Sequence, residues 1–209
     1  MISEPTFSFY ITSPDEQLNV PSYLHFGKPE QFPIAETTIE VFEDFFWSAD
    51  WESVAFNDER NIYGFEHDLP IYSIFDSGTT HLVFPDTYYK SFVIKLMEVA
   101  DVVEFETGQV ITYECKDTFP TLFFNFQSKW LEVLPEDYII KGNDGKCTLL
   151  ITGNSVPFAV FGLPLFSGYY TSHYMSEGKI GFTPHDKSRK SDISKNTIPT
   201  TQPKDALAK

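Results

Sequence analysis

A chain of 209 residues with 42% hydrophobic and 17% aromatic content can bury a real core, which excludes a disordered protein. Its formal charge of −15 repels phosphate backbones, so nucleic acid is excluded as a partner. No apolar run approaches the roughly 20 residues needed for a membrane-spanning helix.

The acidity is uneven. Residues 187–209 hold six Lys or Arg and two Asp, leaving 9 basic against 28 acidic residues in the first 186. Such a body would lose much of its self-repulsion in an acidic compartment, although a plain soluble acidic surface has the same composition. Glu36, Glu40, Glu43 and Asp44 read as a solvated acidic face. The start, Met1-Ile2-Ser3-Glu4-Pro5, lacks a basic region followed by a long apolar stretch, so no signal peptide is expected here.

The 21 Phe and 11 Tyr favour strands, and the 14 Pro and 11 Gly punctuate them often. In chain order, strands are expected at Thr6–Thr12 and Pro21–Phe26, the latter ended by Gly27. Val41–Phe56 reads as one long strand or a bent pair; Trp47 and Trp51 also fit a helical spacing, but the neighbouring residues favour strand. Leu69–Asp76 enters a Ser-Gly turn. Pro85 suits a first helical position, and Tyr89, Phe92, Leu96 and Val99 recur at helical steps, so a helix is expected to about Val99. Strands follow at Val110–Cys115, Thr121–Phe126, Trp130–Leu134, Tyr138–Lys141, Cys147–Thr152 and Val156–Phe161. A helical turn at Leu163–Ser167 leads to strands Tyr169–Tyr174 and Lys179–Thr183. Periodicity stops near Asp186, and residues 186–209 are expected to be a disordered Lys/Ser/Thr/Pro tail.

Ile74-Phe75-Asp76-Ser77-Gly78-Thr79-Thr80 concentrates the chemistry. An apolar strand would carry Asp76 out of a sheet on a rigid stem. Gly78 permits a tight turn, and Ser77 and Thr79 supply short hydroxyls within reach of the carboxylate. Taken alone, the same residues also describe an ordinary Asx turn. His25, His67, His81, His173 and His185 make no zinc spacing, and neither Cys115 nor Cys147 has a Cys-x-x-Cys partner. No metal or other cofactor is expected. By count alone, the two cysteines are equally a disulfide or two free thiols.

The surroundings of Asp76 resemble the C-terminal lobe of the pepsin-like aspartic proteases, from about Thr6 to Pro184. Phe7-Ser8-Phe9-Tyr10-Ile11 is similar to the family's first strand after the interlobe linker, and Leu24-His25-Phe26-Gly27 to the next strand and its turn. Trp47-Ser48-Ala49-Asp50-Trp51 resembles the strand before the second catalytic loop, and Phe75-Asp76-Ser77-Gly78-Thr79-Thr80 resembles that loop. Phe119–Phe126 and Leu134–Ile139 are similar to later strands. Val160-Phe161-Gly162 with Leu165–Tyr170, and Lys179-Ile180-Gly181-Phe182, match the closing segments in order.

The resemblance implies a mostly β fold: a single lobe of the acid protease type, a double-psi β-barrel with one main helix, over residues 1–185. It implies an aspartic endopeptidase in which two carboxylates, one per lobe, share a proton and activate water. Asp76 would be the C-lobe carboxylate. Ser77, Gly78 and Thr79 would support its loop, Ser77 by tying the two loops across the lobe interface. Thr80 would face the peptide backbone, and Val160 would line a side-chain pocket on the leaving-group side. Cys115 and Cys147 would form the lobe's disulfide. That bridge and the family together imply a secreted or lysosomal/vacuolar setting.

Two positions depart from the family pattern. Leu163 stands where an Asp usually follows the glycine, and Ser77 where many members have Thr. No second Asp-Ser/Thr-Gly run occurs in the chain. The implied partners are therefore a peptide substrate and a complementary N-terminal lobe or, less simply, a second copy of the chain. The alternative function is a single lobe that binds peptides or proteins without hydrolysing them.

Overall fold

A computed structural model of the chain describes residues 5–12, 21–27, 37–42, 45–56, 62–63, 71–100, 103–104, 109–112 and 119–184, and the structural statements below concern these. The first strands are β1 (Thr6–Tyr10), β2 (Tyr23–Phe26), β3 (Thr37–Glu40), β4 (Ser48–Trp51), β5 (Ser53–Phe56) and β6 (Ile62–Tyr63). β7 (Ile71–Phe75) and β8 (Leu82–Pro85) lead into helix α1 (Asp86–Val99). β9 (Val103–Glu104), β10 (Gln109–Thr112), β11 (Leu122–Phe126) and β12 (Lys129–Val133) precede the short helix α2 (Pro135–Tyr138). Then follow β13 (Ile139–Lys141), β14 (Cys147–Asn154), β15 (Ala159–Phe161), α3 (Leu163–Phe166), β16 (Tyr169–Tyr174) and β17 (Lys179–Pro184). The architecture is mostly β, as a single pepsin-like lobe requires.

Among the described residues the strands form three sheets. One runs β2-β1-β16-β17-β3, one runs β4-β7-β15-β8-β14-β10-β9 with β13 beside β14, and one runs β12-β11-β5-β6. The middle sheet sets the geometry of the candidate site. β7 and β8 are consecutive in the chain, yet β15 lies between them, parallel to β7 and antiparallel to β8. Phe75 and Leu82 both register with Phe161, so the connection from Asp76 to His81 must cross the end of β15.

Phe161 anchors that crossing. Its ring is fully buried, with its centroid 5.0 Å from those of Phe124 and Phe126 and 5.8 Å from Trp51. Phe75 and Phe84 close around it at 6.1 Å. Edge-on and tilted aromatic pairs of this kind add to the area they bury. β5 and β11 are buried along their whole length, which is why they read as near-continuous apolar runs without alternation. α1 covers the sheet with Tyr89, Phe92, Val93 and Leu96, and turns Lys90, Ile94 and Met97 outward.

The outer five-stranded sheet holds a second aromatic group around His173 on β16. The Phe7 ring stacks on the imidazole at 4.4 Å, and Trp47 meets it edge-on at 4.8 Å. Phe9 and Phe166 complete the enclosure at 5.5 and 6.4 Å. The imidazole is 2% exposed. Burial pushes its pKa from 6.5 down to about 3, against the opposing effect of a hydrogen bond with the Phe7 backbone.

Several boundaries differ from expectation. Of the two arrangements expected for Val41–Phe56 the described residues show the pair, β4 and β5, broken at Glu52, whose N–H bonds to the Asn125 carbonyl of β11; other boundaries shift. Pro85 ends β8 and caps α1 with φ −52° and ψ 140°; it is not the first helical residue, because its carbonyl end still belongs to the extended strand. Leu82–Pro85 is a strand that the helix signal masked. Tyr138 belongs to α2, where Asp137 accepts the Leu134 N–H and closes the turn, and only Ile139–Lys141 is extended. β15 begins at Ala159, not Val156. β3 was not expected from its polar sequence, TTIE. It pairs with β17, and Gln127 holds it through Glu40 N–H at 3.0 Å and Glu40 C=O at 2.7 Å. The tail, residues 186–209, lies outside the described residues.

Candidate active site

Asp76 leaves β7 with its backbone pinned on both sides. The Phe75 N–H bonds to the Trp47 carbonyl at 2.8 Å, and the Asp76 N–H to the Phe161 carbonyl at 3.0 Å. The chain then turns sharply, with Thr79 N–H reaching the Asp76 carbonyl at 3.2 Å. Each carboxylate oxygen receives one bond from inside the turn. Gly78 N–H donates to Oδ1 at 2.9 Å, and the Thr79 hydroxyl to Oδ2 at 2.6 Å. Charge-assisted bonds from a fixed backbone and a short hydroxyl orient the carboxylate plane. The group remains part-exposed, so one side of it is open to a ligand.

Gly162 explains how the loop sits so close to β15. A Cβ there would lie 2.3 Å from the Thr79 carbonyl oxygen and 2.4 Å from that of His81. The Thr79 oxygen is held in place because it also accepts the Leu163 N–H at 2.8 Å. The glycine is thus required by close backbone approach and not by a positive φ. At Gly78 a Cβ would stand 3.2 Å from the Asp76 carboxylate, a milder restriction.

Of the sequence-predicted residues, Asp76, Ser77, Gly78, Thr79 and Thr80 share this loop, with Ser77 part-buried and Thr80 exposed. Val160 lies on β15 in register with Ile74 of β7 and Val83 of β8. Strand alternation places Tyr72, Ile74 and Val160 on one face, with Asp76 continuing it, and the Phe158 ring meets Tyr72 edge-on at 6.4 Å. An apolar wall therefore stands next to the carboxylate. Cys147 is buried on β14 opposite Thr112 of β10, whereas Cys115 lies outside the described residues, so the bridge itself is not seen.

Sequence reasoning did not assign the roles of Phe161 and Gly162 in holding the loop, or of Tyr72 and Phe158 in the wall. It also missed His81. The Thr80 hydroxyl and His81 Nδ1 lie 2.7 Å apart, and burial lowers the imidazole pKa from 6.5. A His immediately after a catalytic-type loop was the available signal. His67 and His185, like Glu36, Glu43 and Asp44 of the acidic face, lie outside the described residues. Among the described residues no group of three or more His, Cys, Asp or Glu has a metal-ligating arrangement, and no helix is long and apolar enough to cross a membrane.

A strand threaded between β7 and β8, with an Asp-Ser-Gly-Thr loop across its end, defines the pepsin-like aspartic protease class. A family model for eukaryotic aspartyl proteases matches residues 1–185, and the chain belongs to that family. Gastricsin of Macaca fuscata fuscata is 28% identical over 117 residues, which is 53% of this chain. The match spans only 30% of the gastricsin chain.

Proposed function

We propose that this chain is the C-terminal lobe of a pepsin-like aspartic endopeptidase and that Asp76 is one member of its catalytic pair. The observation that carries the reading is the loop itself: a part-exposed carboxylate with both oxygens held from within the turn, on a loop locked over Gly162. In the proposed reaction, one carboxylate of the pair removes a proton from water as the other donates one to the scissile carbonyl. The water oxygen attacks the carbonyl carbon, and no acyl-enzyme forms. Ser77 ties the loop to its counterpart across the lobe interface, Thr79 keeps Asp76 aligned, and Thr80 meets the peptide backbone. Val160, with Ile74 and Tyr72, forms the wall of a side-chain pocket that suits an extended peptide with apolar residues beside the scissile bond.

The second carboxylate comes from an N-terminal lobe, since the chain holds a single Asp-Ser/Thr-Gly loop. That same observation favours the second reading, a peptide-binding lobe without turnover. A Cys115–Cys147 bridge is part of the proposal. Its support is that Cys147 pairs with Thr112, three residues before Cys115, and that an aspartic protease works in oxidising, secreted or lysosomal/vacuolar compartments.

Peptide hydrolysis by the full chain at acidic pH, with and without pepstatin, separates these readings. Pepstatin-blocked turnover that rises with the square of chain concentration marks a pair of Asp76 loops from two copies. Turnover that appears only when an N-terminal lobe is added marks a half-enzyme. Pepstatin binding with no turnover under either condition marks the binding module.

A further inference from the structure

His81 has no part in the chemistry assigned so far, yet it is the side chain that holds Thr80. The Thr80 hydroxyl and His81 Nδ1 are 2.7 Å apart at the exposed rim of the Asp76 loop. His81 is only partly exposed, and its own carbonyl packs against Gly162, so the ring sits on the most constrained part of the crossing. We propose that His81 is a positioning residue for peptide binding: its neutral imidazole takes the Thr80 hydroxyl proton at Nδ1, leaving Thr80 Oγ1 as an acceptor for a peptide N–H. This rests on the reading of the Asp76 loop as a peptide-cleaving site.

The consequence is a switch in hydrogen-bond polarity. A hydroxyl has one proton. While Nδ1 is bare it receives that proton, and Thr80 can only accept from the ligand. Once Nδ1 is protonated it donates to Oγ1, and the released hydroxyl proton is free to point at a peptide carbonyl. Burial lowers the His81 pKa, which places the changeover below 6.5, in the acidic range where a carboxylate pair works. Few charged groups face the ring from the packed elements. β8, β15 and α3 carry none, β7 carries only Tyr72, Cys147 of β14 is assigned to the bridge, and α1, packed on β8, carries Asp86, Tyr88, Tyr89, Lys90 and Lys95. Asp86 stands at the opposite end of β8. Asp76, on the same loop, is engaged by Gly78 and Thr79.

Nitrogen-15 NMR of the full chain reads the imidazole directly. Near pH 7, His81 is expected to show a bare, hydrogen-bonded Nδ1 and a protonated Nε2, with a titration midpoint below 6.5 that falls further in Thr80→Val, where the charge-assisted bond from protonated Nδ1 is lost. A protonated Nδ1 near pH 7, or a midpoint indifferent to Thr80→Val, overturns the proposal. Pepstatin A, followed through the amide shifts of Gly78, Thr79 and Thr80, then reads the peptide side. His81→Leu should weaken its binding about fivefold, one hydrogen bond's worth. His81→Gln, which keeps an acceptor, should restore affinity while removing its pH dependence between about pH 5 and 7. Pepstatin shifts that are present in the wild type but unaffected by His81→Leu overturn this proposal alone. If pepstatin shifts nothing at Gly78–Thr80 in the wild type, the peptide-site reading fails and the proposal falls with it.

Discussion

The Asp76 loop and the His173 enclosure treat an ionisable side chain in opposite ways. Around Asp76 the backbone and a threonine supply donors, and one side of the carboxylate stays open. Around His173 four aromatic rings close the space and burial penalises charge. One region orients a carboxylate and leaves it accessible, and the other keeps a group neutral. The two meet in one segment, because Trp47 touches His173 and its carbonyl binds Phe75, the residue before Asp76. A protonated His173 would therefore disturb the strand that carries the catalytic candidate.

The largest expected effect follows from that. The folded-state pKa of His173 is about 3 against 6.5 for an ordinary histidine, so the unfolded chain binds more protons throughout that window. The stabilisation is complete above pH 6.5 and is lost as pH falls toward 3. Its size, from the shift, is up to about 5 kcal/mol. Urea unfolding of the wild type and His173→Phe between these pH values should show a steeper acid loss in the wild type. Equal slopes would remove the contrast between the two regions.

Next in size is Gly162→Ala. A methyl within 2.4 Å of two backbone oxygens must push the loop off β15, at a cost of about 3 kcal/mol or more. Thermal unfolding should show the loss, and peptide binding should fall with it, while the pH slope set by His173 stays the same. An alanine variant as stable as the wild type would mean that the loop is not locked there.

Ser128→Gly is the smallest change and leaves both regions alone. Gln127 and Ser128 form the β11–β12 turn with φ of 52° and 62°, a left-handed conformation that costs a non-glycine residue about 1 kcal/mol. Ser128→Gly should raise stability by about that amount at every pH, shifting the curve without changing its slope. A changed slope would show that the turn communicates with His173.

The two regions also differ in how far they were legible in the sequence. The Asp76 loop was readable because its bonds join residues two and three positions apart, and their types alone suggest the turn. The helix at Asp86–Val99 was equally local, as its buried face repeats within one segment. The environment of His173 was not readable, since Phe7, Trp47 and Phe166 come from distant parts of the chain. For the same reason the roles of Gly162 and Phe161 emerged only once β15 was seen between β7 and β8. β3 lacked an apolar pattern because only Ile39 of its four residues enters the core, while the ladder to β17 and a glutamine 87 residues away hold its backbone.

The most direct test of the central claim is Asp76→Asn in a pepstatin-controlled peptide hydrolysis assay at acidic pH, with a complementary N-terminal lobe present. The substitution keeps the shape of the side chain, lets the amide oxygen accept the Gly78 N–H and the amide nitrogen donate to the Thr79 hydroxyl, and removes the proton chemistry. The kcat should fall about a thousandfold or more with the unfolding midpoint nearly unchanged. Pepstatin-sensitive hydrolysis that survives in Asp76→Asn would contradict it.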